Sequence, residues 1–252
     1  MIHTGQLGVN MKGLLKAVAF AGLLVATGAQ AADLSAPAAG GYKDEIVADT
    51  WWNAGDIFVR VRAEAFVPNI STRDWNNNGG LNLSGADLSA TTTFLPELDL
   101  SMFLSKNIAI EAICCVGDTT VNSAGSIHGL GKVGDTWFFP PTVLVQYHFD
   151  GFGAFKPYLG IGGGYVWFFD ENPGKNFKDL KLNSAANVTF QAGFDYHLAG
   201  NWFLNADVKY MVLGTDYSTH VGGTLITGHV DIDPIIVGAG IGYRFGSYTP
   251  LK

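Results

Sequence analysis

Charged residues recur at every second position within segments that are otherwise apolar. Arg60, Arg62 and Glu64 alternate with Val59, Val61, Ala63 and Ala65. Asp207 and Lys209 alternate with Ala206, Val208 and Tyr210. A spacing of two places the charges on one face of a β-strand and the apolar residues on the other. Glu97, Asp99, Glu111, Asp195 and Arg244 sit in comparable settings. Six acids and four bases gathered in one narrow space would pair and hydrogen-bond, because a lone buried charge is costly.

Other residue types point to other chemistry. Acyl transfer or hydrolysis needs a Ser or Asp nucleophile beside a His. His148 and His197 fall near one end of their strands, where Ser101 can approach, but nothing marks a triad, and a network role is the simpler reading. Gly160-Ile161-Gly162-Gly163-Gly164 resembles a nucleotide loop, yet Tyr165 stands where the last Gly belongs and no helix follows. Gly inside a small barrel instead leaves room for bulky neighbours across the lumen. Cys114 and Cys115 are adjacent in a strand and point to opposite faces, with no further metal ligands nearby. His220 and His229 have a spacing that fits no regular metal site. No metal or other cofactor is expected.

The elements that position these residues begin after an export signal. Lys12 and Lys16 form a charged start, Ala17–Val25 a short apolar stretch, and Ala29-Gln30-Ala31 a small-x-small cleavage site. The apolar stretch is too short to span a bilayer. Residues 1–31 therefore read as a signal peptide, with Met11 a possible true start. Cleavage after Ala31 removes two lysines and no acid, taking the formal charge from -7 to -9. That balance argues against a nucleic-acid partner. Residues 32–54 read as a mobile periplasmic arm, 55–245 as the folded domain, and 246–252 as a short tail.

The chain has 252 residues, with 48% hydrophobic, 13% aromatic and only 15% charged residues, and 33 Gly. Such a composition suits a membrane β-barrel or a secreted β-protein. Strands are expected at 56–66, 92–103, 108–116, 137–149, 155–169, 187–198, 202–213 and 231–245. The turns at Leu104–Asn107, Asp150–Ala154 and Ala199–Asn201 are short, while the loops at 67–91, 117–136, 170–186 and 214–230 are long and polar. Alternating short turns and long loops is the layout of bacterial outer-membrane barrels. The reading is all-β: an eight-stranded antiparallel transmembrane β-barrel, apolar toward lipid and polar inside. Trp51, Trp52, Trp137, Tyr147, Tyr158, Trp167, Tyr196 and Trp202 fall near strand ends, as interfacial girdles do. The last strand ends on the aromatic Phe245, which resembles the signal read by the outer-membrane assembly machinery.

Strand direction sorts the inward residues by depth. Phe66, Leu95, Ile113, Phe138, Leu144, Val166, Phe168, Met211, Leu213 and Ile236 lie toward the outer end as an apolar cup. Arg60, Arg62, Glu64, Glu97, Asp99, Glu111, Asp195, Asp207, Lys209 and Arg244 lie toward the periplasmic end as a charged plug, with Gln146 and His148. A ligand site in the cup competes with a packed interior holding no ligand. Pro96 and Pro234 fall within expected strands, lack a ladder N–H, and mark a candidate lateral gap.

Several words of the sequence match a known family. Phe94-Leu95-Pro96-Glu97-Leu98, Lys132-Val133-Gly134-Asp135-Thr136-Trp137, and Pro140-Pro141-Thr142 followed by Gln146-Tyr147-His148-Phe149 resemble the OmpW family. So do Lys156-Pro157-Tyr158-Leu159-Gly160, Trp202 through Lys209, and Gly240-Ile241-Gly242-Tyr243-Arg244-Phe245. The resemblance runs in order from about Gly55 to Phe245. It implies an eight-stranded barrel in the outer membrane of a Gram-negative cell and passage of small hydrophobic molecules.

Three functions compete: a passive carrier of small hydrophobic solutes with lateral exit into outer-membrane lipid, a structural, adhesive or receptor barrel without transport, and a lipid-modifying barrel enzyme. The carrier fits the cup best, so no enzymatic activity is expected. The sequence fixes neither the solute nor the oligomeric state.

Overall fold

A computed structural model describes residues 52–77 and 83–246. The expected signal peptide, most of the arm, Trp51, and the tail from 247 onward lie outside the described residues. Fifteen strands follow in order: β1 (Ile57–Val67), β2 (Ser71–Asn77), β3 (Ala86–Ala90), β4 (Thr93–Phe103), β5 (Ile108–Cys115), β6 (Gly117–Gly125), β7 (Lys132–Phe139), β8 (Thr142–His148), β9 (Phe155–Pro173), β10 (Phe177–Leu182), β11 (Ala185–Ala199), β12 (Trp202–Val212), β13 (Gly214–Val221), β14 (Thr224–Asp231) and β15 (Ile235–Phe245).

Eight of them form a closed antiparallel barrel in the order β1-β4-β5-β8-β9-β11-β12-β15. Pairing of β15 with β1, from Ile57↔Phe245 to Val67↔Ile235, closes the ring. Closure leaves no unpaired edge, which is the condition for placing strands in lipid. Alternation is nearly strict along β4 and β12. The outward members are apolar and exposed: Val61 at 59%, Leu98 at 52% and Leu159 at 54%. A water-soluble protein would cover such a band; here it is the lipid face. Cys114 belongs to that exposed face and Cys115 to the half-buried inner one.

The long connections are not irregular loops. β3, β6 and β7 extend the wall above β9, and β2, β10, β13 and β14 form a separate four-stranded sheet at the same end. β9 and β11, at 19 and 15 residues, outrun the 9–11 residues a membrane crossing requires. The expected strand 137–149 is two strands. Pro140 and Pro141 interrupt it, so β7 pairs with β6 and β9 above while β8 pairs with β5 and β9 below.

Two expected girdle residues are elsewhere. Trp52 and Tyr158 are 0% and 1% exposed and lie inside the lumen. Trp52 also ties down the end of the arm: its Nε1 donates to the Lys106 carbonyl at 2.6 Å.

Candidate functional site

The lumen is built in layers, starting at the short-turn end. The first layer is aromatic. Trp52 packs on Phe103 with ring centroids 5.4 Å apart and on His148 at 5.5 Å, while Phe58 lies 4.7 Å from both Phe103 and Phe203. The strand alternation puts Phe58, Phe103 and Phe203 inward on the same face as their charged neighbours. Phe203 fits because Gly242 opposite has no side chain; a Cβ there would stand 2.2 Å from the Phe203 ring. Arg244 belongs at this level rather than with the plug. It pairs with Phe58 across β1–β15, its Nη1 meets Asp56 at 3.3 Å, and its Nη2 donates to Asn201 at 3.1 Å.

The second layer is the charged belt. Arg60 grips Asp195 with two nitrogens, at 3.2 and 2.9 Å, and meets Glu111 at 3.1 Å. Its Nη1 also donates to Ser101 Oγ at 2.6 Å, and its guanidinium lies over the rings of Phe58 and Phe203, each 5.4 Å away. Arg62 meets Asp99 at 2.7 Å and Asp207 at 2.6 Å, closes on Glu97, and donates to Asn205 at 2.9 Å. Lys209 binds both Glu97 oxygens at 2.8 and 3.1 Å and closes on Glu64. Gln191 bridges Glu111 and Asp207 at 3.0 and 2.6 Å. None of these charged residues exceeds 4% exposure. Burial is tolerable only because each charge meets an opposite one. With Arg244 elsewhere, six acids face Arg60, Arg62 and Lys209, and the fully buried Lys156 stands opposite Asp195 with its Nζ 4.9 Å from the Trp52 ring.

Ser101 and His148 do not form a nucleophile–base pair. Ser101 Oγ serves Arg60 and Glu111, whereas His148 Nε2 faces Gln146 Oε1 at 3.1 Å and its ring lies 4.9 Å from Tyr158. His197 Nε2 faces the Gly200 carbonyl at 2.9 Å, in the turn between β11 and β12.

Above the belt lie two stacked apolar chambers. The lower, a cavity of about 20 Å³, has Leu95, Ile113 and Ile236 as walls and Glu64, Glu97 and Lys209 as its floor. The upper, a cavity of about 50 Å³ partly open to solvent, is lined by Phe138, Val166, Phe168 and Leu213 among others. Phe66, Pro140 and Met211 line both and form the neck between them. Nine of the ten expected cup residues thus line one chamber or the other. Leu144 does not: it is fully buried beside Glu111, level with the belt.

Sequence reasoning missed much of the upper wall. Leu88, Val121, Val133, Leu180, Tyr217 and Val230 come from β3, β6, β7, β10, β13 and β14, in segments read as polar loops. The available signal was alternation in Thr215–Val221, where Thr215, Tyr217, Thr219 and Val221 are buried in turn. Burial drives the Tyr217 phenol well above its ordinary range.

The two prolines differ. The β4–β5 ladder runs from Phe103↔Ala109 to Glu97↔Cys115 and stops there, one residue short of Pro96. Beyond it, β6 pairs with β7 and β3 instead, while Pro96 keeps its partner Ala63 on β1. Inside this stretch of wall stands Gly117, where a Cβ would lie 3.0 Å from Leu95 and 2.9 Å from Phe138. Pro234 opens nothing. It precedes β15 rather than lying within it, and the seam to β12 is closed by Met211 N donating to the Pro234 carbonyl at 3.1 Å and Leu213 N donating to Asp233 at 2.9 Å.

A closed eight-stranded barrel with an apolar exterior and a lumen sealed by ion pairs is an integral membrane barrel, not an open aqueous pore. The family model described as the OmpW family matches residues 53–245. The chain is 37% identical over 224 residues to the uncharacterized outer-membrane protein y4mB of Sinorhizobium fredii, covering 87% of this chain and 91% of that one. It is 32% identical to outer membrane protein AlkL of Ectopseudomonas oleovorans, over 67% of this chain and 74% of the relative. The crystal structure of the outer membrane protein OprG from Pseudomonas aeruginosa superposes with a TM-score of 0.71 at 28% identity, covering 77% of this chain and 98% of OprG. The chain belongs to the OmpW family, and its place is the outer membrane.

Proposed function

We propose that this barrel passively carries small hydrophobic molecules from the outer face into the membrane. One observation carries the reading: an apolar cup opens outward, ends on a desolvated ion-pair belt, and adjoins the stretch of wall where the β4–β5 ladder stops at Pro96. A solute in the cup meets buried charge below and apolar side chains, Leu95 and Phe138, at its side. Desolvating a solute against the belt gains nothing, whereas passing between β4 and β6 leads to lipid. The cup residues Phe66, Leu95, Ile113, Phe138, Val166, Phe168, Met211, Leu213 and Ile236 would bind the solute, and Pro96 would mark its exit. Outer-membrane lipid would receive it. The chain would reach the outer membrane through cleavage after Ala31 and the assembly machinery; the intact mass of the purified barrel checks the cleavage site.

The exit is tested by closing it. By extension of the ladder Pro96 faces Val116, and both are outward and exposed. Pro96→Cys and Val116→Cys are combined in a background with Cys114→Ala and Cys115→Ser. Uptake of an apolar solute into proteoliposomes is expected to fall severalfold on oxidation and to recover on reduction. Equal uptake in the oxidised and reduced states of a fully crosslinked sample excludes lateral exit.

A further inference from the structure

The interruption between β4 and β6 has a definite frame. Its lower edge is the last pair of the β4–β5 ladder, Glu97↔Cys115. Its upper edge is Thr93, whose Oγ1 donates to the Asp118 carbonyl at 2.7 Å. Just above, Thr91 N donates to the Thr120 carbonyl at 3.0 Å and Thr120 N donates to Thr91 Oγ1 at 3.2 Å. Between these fastenings lie Phe94, Leu95 and Pro96 on one side and Val116 and Gly117 on the other. No ladder joins them, since β4 pairs with β1 and β5, and β6 with β3 and β7. Three residues of strand rise about 10 Å, so this is a window and not a seam along the whole wall. Phe94 and Val116 are exposed at its outer side, so it gives onto the lipid face.

Two side chains stand behind the window. Leu95 turns inward from β4, and Phe138 is the partner of Gly117 on β7. Their tips converge on Gly117: a Cβ there would lie 2.9 Å from Phe138 Cζ and 3.0 Å from Leu95 Cδ2. The two tips thus occupy the place that a side chain at 117 would take. Leu95 lines the lower chamber and Phe138 the upper, so the pair covers the window at the level of the neck. Other walls are backed differently. Behind Ile236 the β15 ladders to β1 and β12 are continuous, and behind Ile113 so are those from β5 to β4 and β8. Displacing those side chains uncovers hydrogen-bonded wall, whereas displacing Leu95 and Phe138 uncovers the window.

The chambers hold a solute only if something moves. Their volumes are about 50 and 20 Å³, whereas a cavity that takes up one benzene has about 150 Å³. The belt below cannot yield without breaking ion pairs such as Arg62–Asp99 and Lys209–Glu97. Rotation of a leucine or phenylalanine side chain breaks no hydrogen bond and moves between staggered wells. A solute pressing into the neck therefore makes room most cheaply at the two tips over Gly117.

We infer that Leu95 and Phe138 form a side-chain gate over Gly117 whose width selects the solute. A flexible unbranched chain parts the two tips and leaves through the window; a rigid globular hydrocarbon of equal carbon number is held back. The inference rests on the carrier reading and names the residues that decide which solutes the carrier passes.

The test measures uptake of labelled n-decane and adamantane, equal in carbon number, into proteoliposomes, corrected for protein-free vesicles. Wild type should favour n-decane. Phe138→Ala and Leu95→Ala should each raise adamantane uptake severalfold and change n-decane uptake by a much smaller factor. In the oxidised Pro96→Cys/Val116→Cys barrel, in the Cys114→Ala and Cys115→Ser background, the gain from Phe138→Ala should vanish, because the tips guard only the window. Should the alanine variants fail to fold, 4-fluorophenylalanine at position 138 of the otherwise wild-type barrel gives a second readout. Its fluorine resonance should shift with n-decane and stay in place with adamantane. Equal wild-type uptake of the two solutes, equal gains in the variants, a gain that survives the crosslink, or a fluorine resonance unmoved while n-decane is taken up overturns the gate and leaves the carrier reading standing. Wild-type uptake of neither solute overturns both.

Discussion

Replacing Arg62 by Met should be among the most damaging single changes in the barrel. Methionine keeps much of the length and apolar stem of the side chain, so packing along β1 is largely preserved and the loss is electrostatic. Arg62 contacts Asp99 at 2.7 Å, Asp207 at 2.6 Å and Glu97, with Glu64 at 3.7 Å. At an effective dielectric of about 20, each contact near 3 Å attracts by roughly 5 kcal/mol before desolvation is counted. Desolvating the guanidinium and its carboxylates offsets most of that sum. Removing one side of a buried pair nevertheless costs about 3–5 kcal/mol, because the orphaned charges stay buried. Glu97, Glu64 and Asp207 retain Lys209 at 2.8 Å, at close contact and at 3.6 Å, but Asp99 loses the cation it pairs with. Adding Asp99→Asn to Arg62→Met should therefore recover part of the loss, with a coupling of about 1–3 kcal/mol. Urea unfolding in phosphatidylcholine vesicles, followed by tryptophan fluorescence, measures both. Arg62→Met within about 1 kcal/mol of wild type, or Asp99→Asn deepening the loss, would refute the picture of a water-free belt.

Two further outcomes follow from the aromatic layer. Trp52→Ala should cost about 3 kcal/mol, since the ring is fully buried among Phe103, Phe58 and His148, yet ion conductance in planar bilayers should stay at the wild-type level because the belt above still seals the lumen. Gly242→Ala should cost about 1–3 kcal/mol by forcing the Phe203 ring from its place, and Phe203→Leu in the same chain should relieve it, as read by the same unfolding assay.

Much of the barrel was legible because alternation is a local property. Whether Arg60 or Val61 faces the lumen follows from the position of each residue in its own strand, and neighbouring strands do not change it. The extracellular sheet was harder to see. In β13 half of the buried set is threonine, and in β10 the buried Phe177 and Leu180 stand three apart, across the shifted register between Lys178 and Lys181. A period of two is broken there by the irregularity itself. Pro140, Pro141 and Pro234 had the opposite effect. The apolar pattern continued through them, and only the missing N–H revealed that β8 begins at Thr142 and β15 at Ile235.

Depth is a different quantity from facing, and the errors at Leu144 and Arg244 show why. Both face inward, as their alternation requires. Their levels depend on how far each strand is staggered against its neighbours, which in a barrel is fixed by closure of the whole ring. Counting from the nearest turn placed Leu144 among the cup residues, but the β5–β8 register sets it opposite Glu111. The same counting placed Arg244 in the plug, but the β1–β15 register sets it opposite Phe58, within reach of Asp56 and Asn201. Asn187 is the sharper case. Nothing in its own strand distinguishes it from Gln191, which is also inward and polar and makes three hydrogen bonds within the lumen. Gln191 lies level with the acids that accept from it, whereas Asn187 lies two inward positions higher, opposite a glycine, where the lumen has turned apolar. The two side chains differ in level alone, so the partners of each could not be read before the register between β9 and β11 was known.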